Sequence, residues 1–329
     1  MNIERFDVWM SKRSLPVRVI YDSLRIFFLE HCPVRATALS YTSLLAIVPL
    51  LILLTSISLS LGMGDLFIKH LQNYLPELLE NAISYVDKLL TSFFPDNNIE
   101  LNSMTGIILE NIMPYLNQAM GIRLDSLGLV GALALLFTFF LAINTIEINM
   151  NIVWGINKTR SYLQKIMIFI PFLFLFAGGI GIISVFLRYT QNMLNTAPLS
   201  LLGIVLFGLW LLYCYMPYAS EQEGFWKAAV TKTKKRWLSA LISAVFTFAA
   251  TLAFILAMGF LQAFMFAKWS ILYGSLAVFP MIMFLFFGFW NIVLFGNALC
   301  WRITERKCHQ KYILERIMQK QQNLYPNPR

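Results

Sequence analysis

Six apolar stretches of this 329-residue chain are each long enough to cross a lipid bilayer as a helix, which takes about 20 residues. They lie near 39–62, 127–147, 164–187, 198–216, 238–263 and 275–300. Only helices and closed barrels span a bilayer, because backbone N–H and C=O groups find no water there. A barrel would show short segments of alternating polarity instead. The pattern therefore predicts an all-α fold, a polytopic membrane bundle of six transmembrane helices. A large soluble protein is excluded by charge: Asp, Glu, Lys and Arg make up 13% of the chain, against roughly 25% in soluble domains. The first stretch follows about 36 mostly amphipathic residues with no small-residue cleavage site. It reads as a retained span rather than a signal peptide.

Basic residues orient the spans. Of the 26 Lys and Arg residues, 21 fall in 1–38, 156–165, 217–237 and the tail from 302. The other five are Lys69, Lys88, Arg123, Arg188 and Lys268. Basic loops stay inside, so both termini are expected in the cytoplasm. Eight of the 17 acidic residues lie in 63–126, on the opposite side. Cys32, Cys214, Cys300 and Cys308 all fall on or near the cytoplasmic side, where a reducing compartment keeps them as thiols. The net charge of +9 thus reads as a topology signal with attraction for anionic lipid heads, not as a nucleic-acid site.

Three parts follow. Residues 1–38 form a cytoplasmic amphipathic N-terminal segment, 39–301 the six-span domain with a helical periplasmic cap at 63–126, and 302–329 a basic cytoplasmic tail. In 15–31, Val17, Ile20, Tyr21, Leu24, Phe27 and Phe28 share one helical face, with Arg18, Asp22 and Arg25 on the other. Such a helix lies in the membrane interface. Residues 77–94 repeat the pattern outside until Pro95-Asp96-Asn97-Asn98 breaks it, and a second outer helix is expected over 103–120.

Several chemistries are missing. The chain has no Gly-rich phosphate loop followed by Lys and Ser or Thr, so it carries no recognisable ATPase. His31, His70 and His309 are isolated and divided between the two sides, and there is no Cys-x-x-Cys pair. No metal, no cofactor and no enzymatic activity are expected.

Polar residues within spans carry more information. Asn144, Glu147 and Asn151 stand at i, i+3 and i+7, one helical face. An ionisable group inside a span marks a functional site by default; the plainer reading is a helix end already at the interface. Ser239, Ser243, Thr247 and Thr251 form a ladder at i+4, and Ala249, Ala253 and Ala257 a second one. Small residues at this spacing let helices approach closely. Pro49 and Pro280 interrupt the first and last spans and free backbone carbonyls, for which Asn291 and Asn297 are placed to be partners.

Four stretches together resemble the YihY/BrkB family of bacterial inner-membrane proteins, once labelled ribonuclease BN. They are Arg35-Ala-Thr-Ala-Leu-Ser-Tyr-Thr-Ser-Leu-Leu-Ala-Ile-Val-Pro49, Glu147 with Asn151 before Trp154-Gly155, Leu212-Tyr213 with Met216-Pro217, and Tyr273-Gly274-Ser275-Leu276 running to Gly296. Many members carry an acidic residue after the glycine corresponding to Gly296; here Asn297-Ala298 follows. The isolated histidines argue against carrying over the ribonuclease label. The resemblance implies a six-span inner-membrane protein tied to envelope biogenesis and to export of lipid or lipid-like material.

The expected function is translocation of a lipid-like envelope substrate without ATP. Arg35 and the cluster Lys227, Lys232, Lys234, Lys235 and Arg236 would attract anionic head groups. Asn144, Glu147 and Asn151 would line the cytoplasmic entrance. Tyr41, Tyr213 and Tyr273 would be interface or gate residues, with Pro49, Pro217 and Asn291 completing the pathway. The expected partners are membrane lipids, not nucleic acid. One alternative is an assembly partner in envelope biogenesis, binding an envelope protein through 63–126. A second is an intramembrane enzyme acting on lipid-linked substrates.

Overall fold

A computed structural model describes residues 15–60, 128–156, 159–161, 163–165, 197–215, 236–255, 257–258 and 278–304, with single positions at 62, 114 and 118. Every regular element among these residues is helical: α1 (Leu15–Leu29), α2 (Cys32–Ser60), α3 (Gly128–Val153), α4 (Ala197–Tyr215), α5 (Arg236–Ile255) and α6 (Val278–Thr304). Among the described residues four segments are long and apolar enough to cross a bilayer: Cys32–Ser60, Leu133–Val153, Arg236–Ile255 and Ile282–Thr304. Within α4 the apolar helix Val205–Tyr215 is shorter. The chain is an all-α membrane bundle. The expected span at 164–187, apart from its first residues, lies outside the described residues, as do the cap at 63–126, apart from positions 114 and 118, and the tail beyond 304.

The helices of this bundle turn apolar side chains outward. Leu133, Phe137 and Leu141 on α3, Ile242 and Val245 on α5, and Phe284 on α6 are all exposed. In water such a surface would drive association; in hydrocarbon it is the ordinary outer face. The interior is mixed, with Ala36, Leu39, Tyr213, Ala244, Val293 and Leu294 packed beside Ser40, Ser243, Thr247 and Asn297. α6 is central and packs on α1, α2 and α3, while α2 also packs on α3.

Two junctions show how local sequence ends the helices. At the end of α3 the N–H of Ile156 donates to Asn151 O at 3.0 Å and that of Gly155 to Ile152 O at 2.9 Å. Gly155 has φ 70°. This is a Schellman close, and the αL residue it needs is cheapest as glycine. Between α1 and α2 the same conformation falls on His31, at φ 51°, followed by Pro33 in the first turn of α2, where its missing N–H has no helical partner.

The structure revises several sequence readings. α2 begins at Cys32, seven residues before the expected span, and α3 runs on to Val153, so Glu147 sits within the helix rather than at its end. Pro49 lies inside α2 and does break the i→i−4 ladder. Pro280 stands near the start of the described part of α6. Ser239, Ser243 and Thr247 are buried as a packing face, and Thr251 is half-buried; Ala249, Ala253 and Ala257 are exposed. The buried small residues of α5 are Ala240 and Ala244 instead. On α1, Val17, Ile20, Leu24 and Phe28 share the outward face, while Phe27, expected with them, turns inward with Asp22, Ser23 and Ile26.

Candidate functional site

One end of the bundle gathers most of the buried polar chemistry. The start of α2, the ends of α3, α4 and α6, and the start of α5 meet there. The 3.6-residue repeat of α3 puts Asn144 and Glu147 on one side of its last turns, and the Schellman close after Val153 sends the chain back along them. The returning segment delivers two cations. The Arg160 backbone N–H donates to Glu147 Oε1 at 2.9 Å, with the Arg160 guanidinium Nη1 at 3.6 Å from the same oxygen. Lys165 Nζ stands 3.5 Å from Glu147 Oε2 and donates to Asn144 Oδ1. Arg160 Nη2 also donates to the C-terminal carbonyl of α4, Tyr215 O, at 2.6 Å, where the helix dipole favours a cation.

Glu147 is fully buried, and Lys165 is 2% and Arg160 9% exposed. A lone carboxylate at such a place would be strongly disfavoured; two cations and a backbone N–H compensate it. The arrangement fixes the 154–165 connection to α3 and to α4.

A second junction lies beside it. Asn297 of α6 donates through Nδ2 to Met150 O at 2.9 Å and accepts from Trp154 Nε1 at 2.8 Å. An amide serves both demands at once; a carboxylate can only accept. The Arg236 guanidinium stacks 5.0 Å from the Trp154 ring, within cation–π range. Arg35 donates to Glu30 O at 2.7 Å and to Asn149 Oδ1 at 3.4 Å. Ser239 and Thr304 share a hydroxyl contact of 2.6 Å.

The expected site residues divide. Asn144 and Glu147 meet in the ionic cluster, and Asn151 is buried with its carbonyl in the Schellman close. Tyr213 is deeper and fully buried: it donates to Val293 O at 3.0 Å and stands 2.7 Å from Thr247 Oγ1. Gly296 is what admits this pair, since a Cβ there would collide with both Thr247 Oγ1 and Tyr213 Oη. Asn291 bonds its own helix at Phe287 O, 2.7 Å, and Pro49 is buried in α2. Tyr41 is 55% exposed on the outer side of α2, away from the cluster. Pro217, Tyr273, Lys227, Lys232, Lys234 and Lys235 lie outside the described residues. Arg160, Lys165 and Asn149 were not anticipated, and Trp154 entered only through the family resemblance. The first two entered the sequence reading only as inside charges, although a basic loop directly after an acidic span end was a usable signal. Among the described residues no group of three or more His, Cys, Asp or Glu side chains is arranged to hold a metal.

Comparison with known proteins places this architecture. A family model described as virulence factor BrkB matches residues 27–316. The chain belongs to the BrkB family. Relatives described as UPF0761 membrane proteins match most of this chain at low identity. One from Acinetobacter baylyi is 26% identical over 286 residues, 85% of this chain and 61% of the relative. One from Alcanivorax borkumensis is 24% identical over 310 residues, 91% and 65% of the two chains. A third, from Actinobacillus pleuropneumoniae, is 22% identical over 294 residues, 84% and 90%. The chain thus spans less than two thirds of the length of the first two. No solved structure matches. In this BrkB-family bundle the stretches beginning at Arg35, Glu147 and Leu212 all reach the polar end just described.

Proposed function

We propose that this protein moves a lipid or lipid-like anionic envelope substrate across the bacterial inner membrane without hydrolysing ATP. The observation that carries the reading is the buried cluster of Glu147, Arg160 and Lys165 at one end of a membrane bundle. Ionisable groups in a span are expensive and are retained where they act. In this reading the cluster is a closure on the cytoplasmic side. An anionic head group competes with the Glu147 carboxylate for Arg160 and Lys165, and the exchange loosens the 154–165 connection from α3. Arg35 and the basic 227–236 segment draw head groups towards it. Both termini are cytoplasmic and the chain crosses the membrane six times.

A second reading has one observation in its favour. Glu147 already has an N–H donor and two cations, which suits a static clamp as well as a moving one. The protein would then be an assembly partner in envelope biogenesis, engaging an envelope protein through 63–126.

The test is transbilayer movement of a labelled anionic lipid in proteoliposomes, with protein-free vesicles as control. Glu147→Gln leaves two buried cations short of a counter-charge and can unfold the bundle end. Glu147→Gln/Lys165→Gln removes one charge of each sign and restores the balance. Translocation predicts a folded double variant with little lipid movement. A folded double variant at the wild-type rate removes the cluster from the mechanism, and a folded wild-type protein that moves no lipid removes the translocation reading and leaves the clamp.

A further inference from the structure

The first helix has apolar side chains on two sides. A soluble amphipathic helix turns its apolar stripe inward and its charges to water. α1 buries Asp22 and Ser23 beside Ile26 and Phe27 and turns a further apolar stripe outward. Arg302 Nε donates to Asp22 Oδ2 at 2.7 Å, and Ser23 Oγ donates to Val19 O at 2.8 Å. The outward stripe is Val17, Ile20, Leu24 and Phe28, with Phe28 64% exposed. These positions follow the i, i+3, i+7, i+11 spacing of one helical face.

Water is a poor match for this stripe, and so is the bundle itself, which already takes the other face. The stripe does not stop at α1. Across the turn at Glu30 and His31, α2 turns Val34 outward at 71% exposure, and Tyr41, Leu45 and Val48 continue that line up the spanning helix. The outer face of α2 is in lipid because α2 crosses the membrane. We infer that α1 lies in the bilayer interface at the polar end of the bundle, with Val17, Ile20, Leu24 and Phe28 inserted at the boundary of head groups and acyl chains. The occupant of this surface is lipid.

The Asp22–Arg302 pair gives the inserted helix a fixed depth. Arg302 belongs to the last turn of the central helix α6, so α1 is bound to a rigid span instead of floating on the surface. Arg18 and Arg25 flank Asp22 on the same inward side, which leaves the stripe free of charge along its length. This inference does not depend on the transport reading: a static scaffold would hold α1 in the interface equally well.

The test uses single spin labels on the full chain in vesicles of phosphatidylethanolamine and phosphatidylglycerol. Leu24→Cys and Phe28→Cys are made in a Cys308→Ser background, with that parent as the blank for the buried Cys32, Cys214 and Cys300. Collision rates with oxygen, which concentrates in lipid, are compared with those of a water-soluble nickel chelate. Insertion predicts a severalfold excess of oxygen over nickel accessibility at both sites, relative to free spin label in the buffer. Nickel accessibility approaching that of the free label would place the stripe in water and overturn the inference. Loss of both accessibilities, with dipolar broadening between labels, would place a second copy of the chain on the stripe and overturn it too.

Discussion

The Arg302 guanidinium donates to the Asp22 carboxylate at 2.7 Å, with both side chains 6% exposed, and so joins α1 to the last turn of α6 across 280 residues of sequence. Burial raises the Asp22 carboxyl above its usual 3.8, while the hydrogen bond and charge of Arg302, and then Arg18 and Arg25, pull it down. Removing the cation leaves a buried carboxylate uncompensated. Arg302→Met should lower the stability of the purified protein by about 3–5 kcal/mol at neutral pH, and by less in acid, where Asp22 takes a proton. Unfolding curves in detergent at several pH values check this.

The same shift sets a slope with pH. Because the folded state holds the Asp22 proton that the unfolded state has released, stability falls as pH rises from 3.8 to the raised folded value, and is level above it. Asp22→Asn should abolish that part of the pH dependence while leaving the rest. An unchanged slope in the variant would mean that Asp22 titrates as it does in the unfolded chain.

Asn297 tests whether the junction of α3 and α6 needs both a donor and an acceptor. Asn297→Asp keeps the acceptor for Trp154 Nε1 but sets an ionised oxygen against Met150 O. The expected loss is about 1–3 kcal/mol at pH 8. Part of it should return in acid, since a protonated carboxyl donates again. Thermal denaturation of the two proteins at both pH values decides it.

Gly296→Ala places a methyl group on Thr247 Oγ1 and Tyr213 Oη and should cost about 1–3 kcal/mol by overpacking. Adding Tyr213→Phe removes one of the two colliding atoms and should recover part of the loss, a coupling that a double-mutant cycle measures. Gly208→Ala is the contrast: nothing lies within 4 Å of its Cβ, and helix propensity alone should make it neutral or slightly stabilising.

His31 holds an αL conformation that costs a non-glycine residue about 1–2 kcal/mol. Glycine removes the strain but gives the unfolded chain more freedom, worth about 0.4–1 kcal/mol in the other direction. The net for His31→Gly should be a small gain in melting temperature, and His31→Val a clear loss.

Much of the bundle was legible in the sequence. The spans at 39–62, 127–147, 198–216, 238–263 and 275–300 overlap α2, α3, α4, α5 and α6. The boundaries slipped where polar residues continue a helix past its apolar part, as at Cys32–Thr37 and Glu147–Val153. Glu147 was marked by its position in a span, and the packing role of Ser243 and Thr247 by their spacing. The alanine ladder misled, because spacing alone does not say which face meets a neighbour.

The sequence by itself determined that this chain is a helical membrane protein. Length and hydropathy act segment by segment, since each stretch in hydrocarbon must satisfy its own backbone, and that condition can be read in one dimension. Only the tertiary structure decided which charges are partners. Glu147 meets Arg160 and Lys165, Asp22 meets Arg302, and Asn297 meets Met150 and Trp154. Such pairs depend on a few ångströms of distance and on burial, which raise an interaction from negligible to decisive, and neither is written in the order of the residues. The inward face of α1 belongs to the same class: periodicity put Phe27 with the outer stripe, and contacts with Arg302 and Phe295 on a helix some 280 residues away turn Asp22 and Phe27 to the bundle.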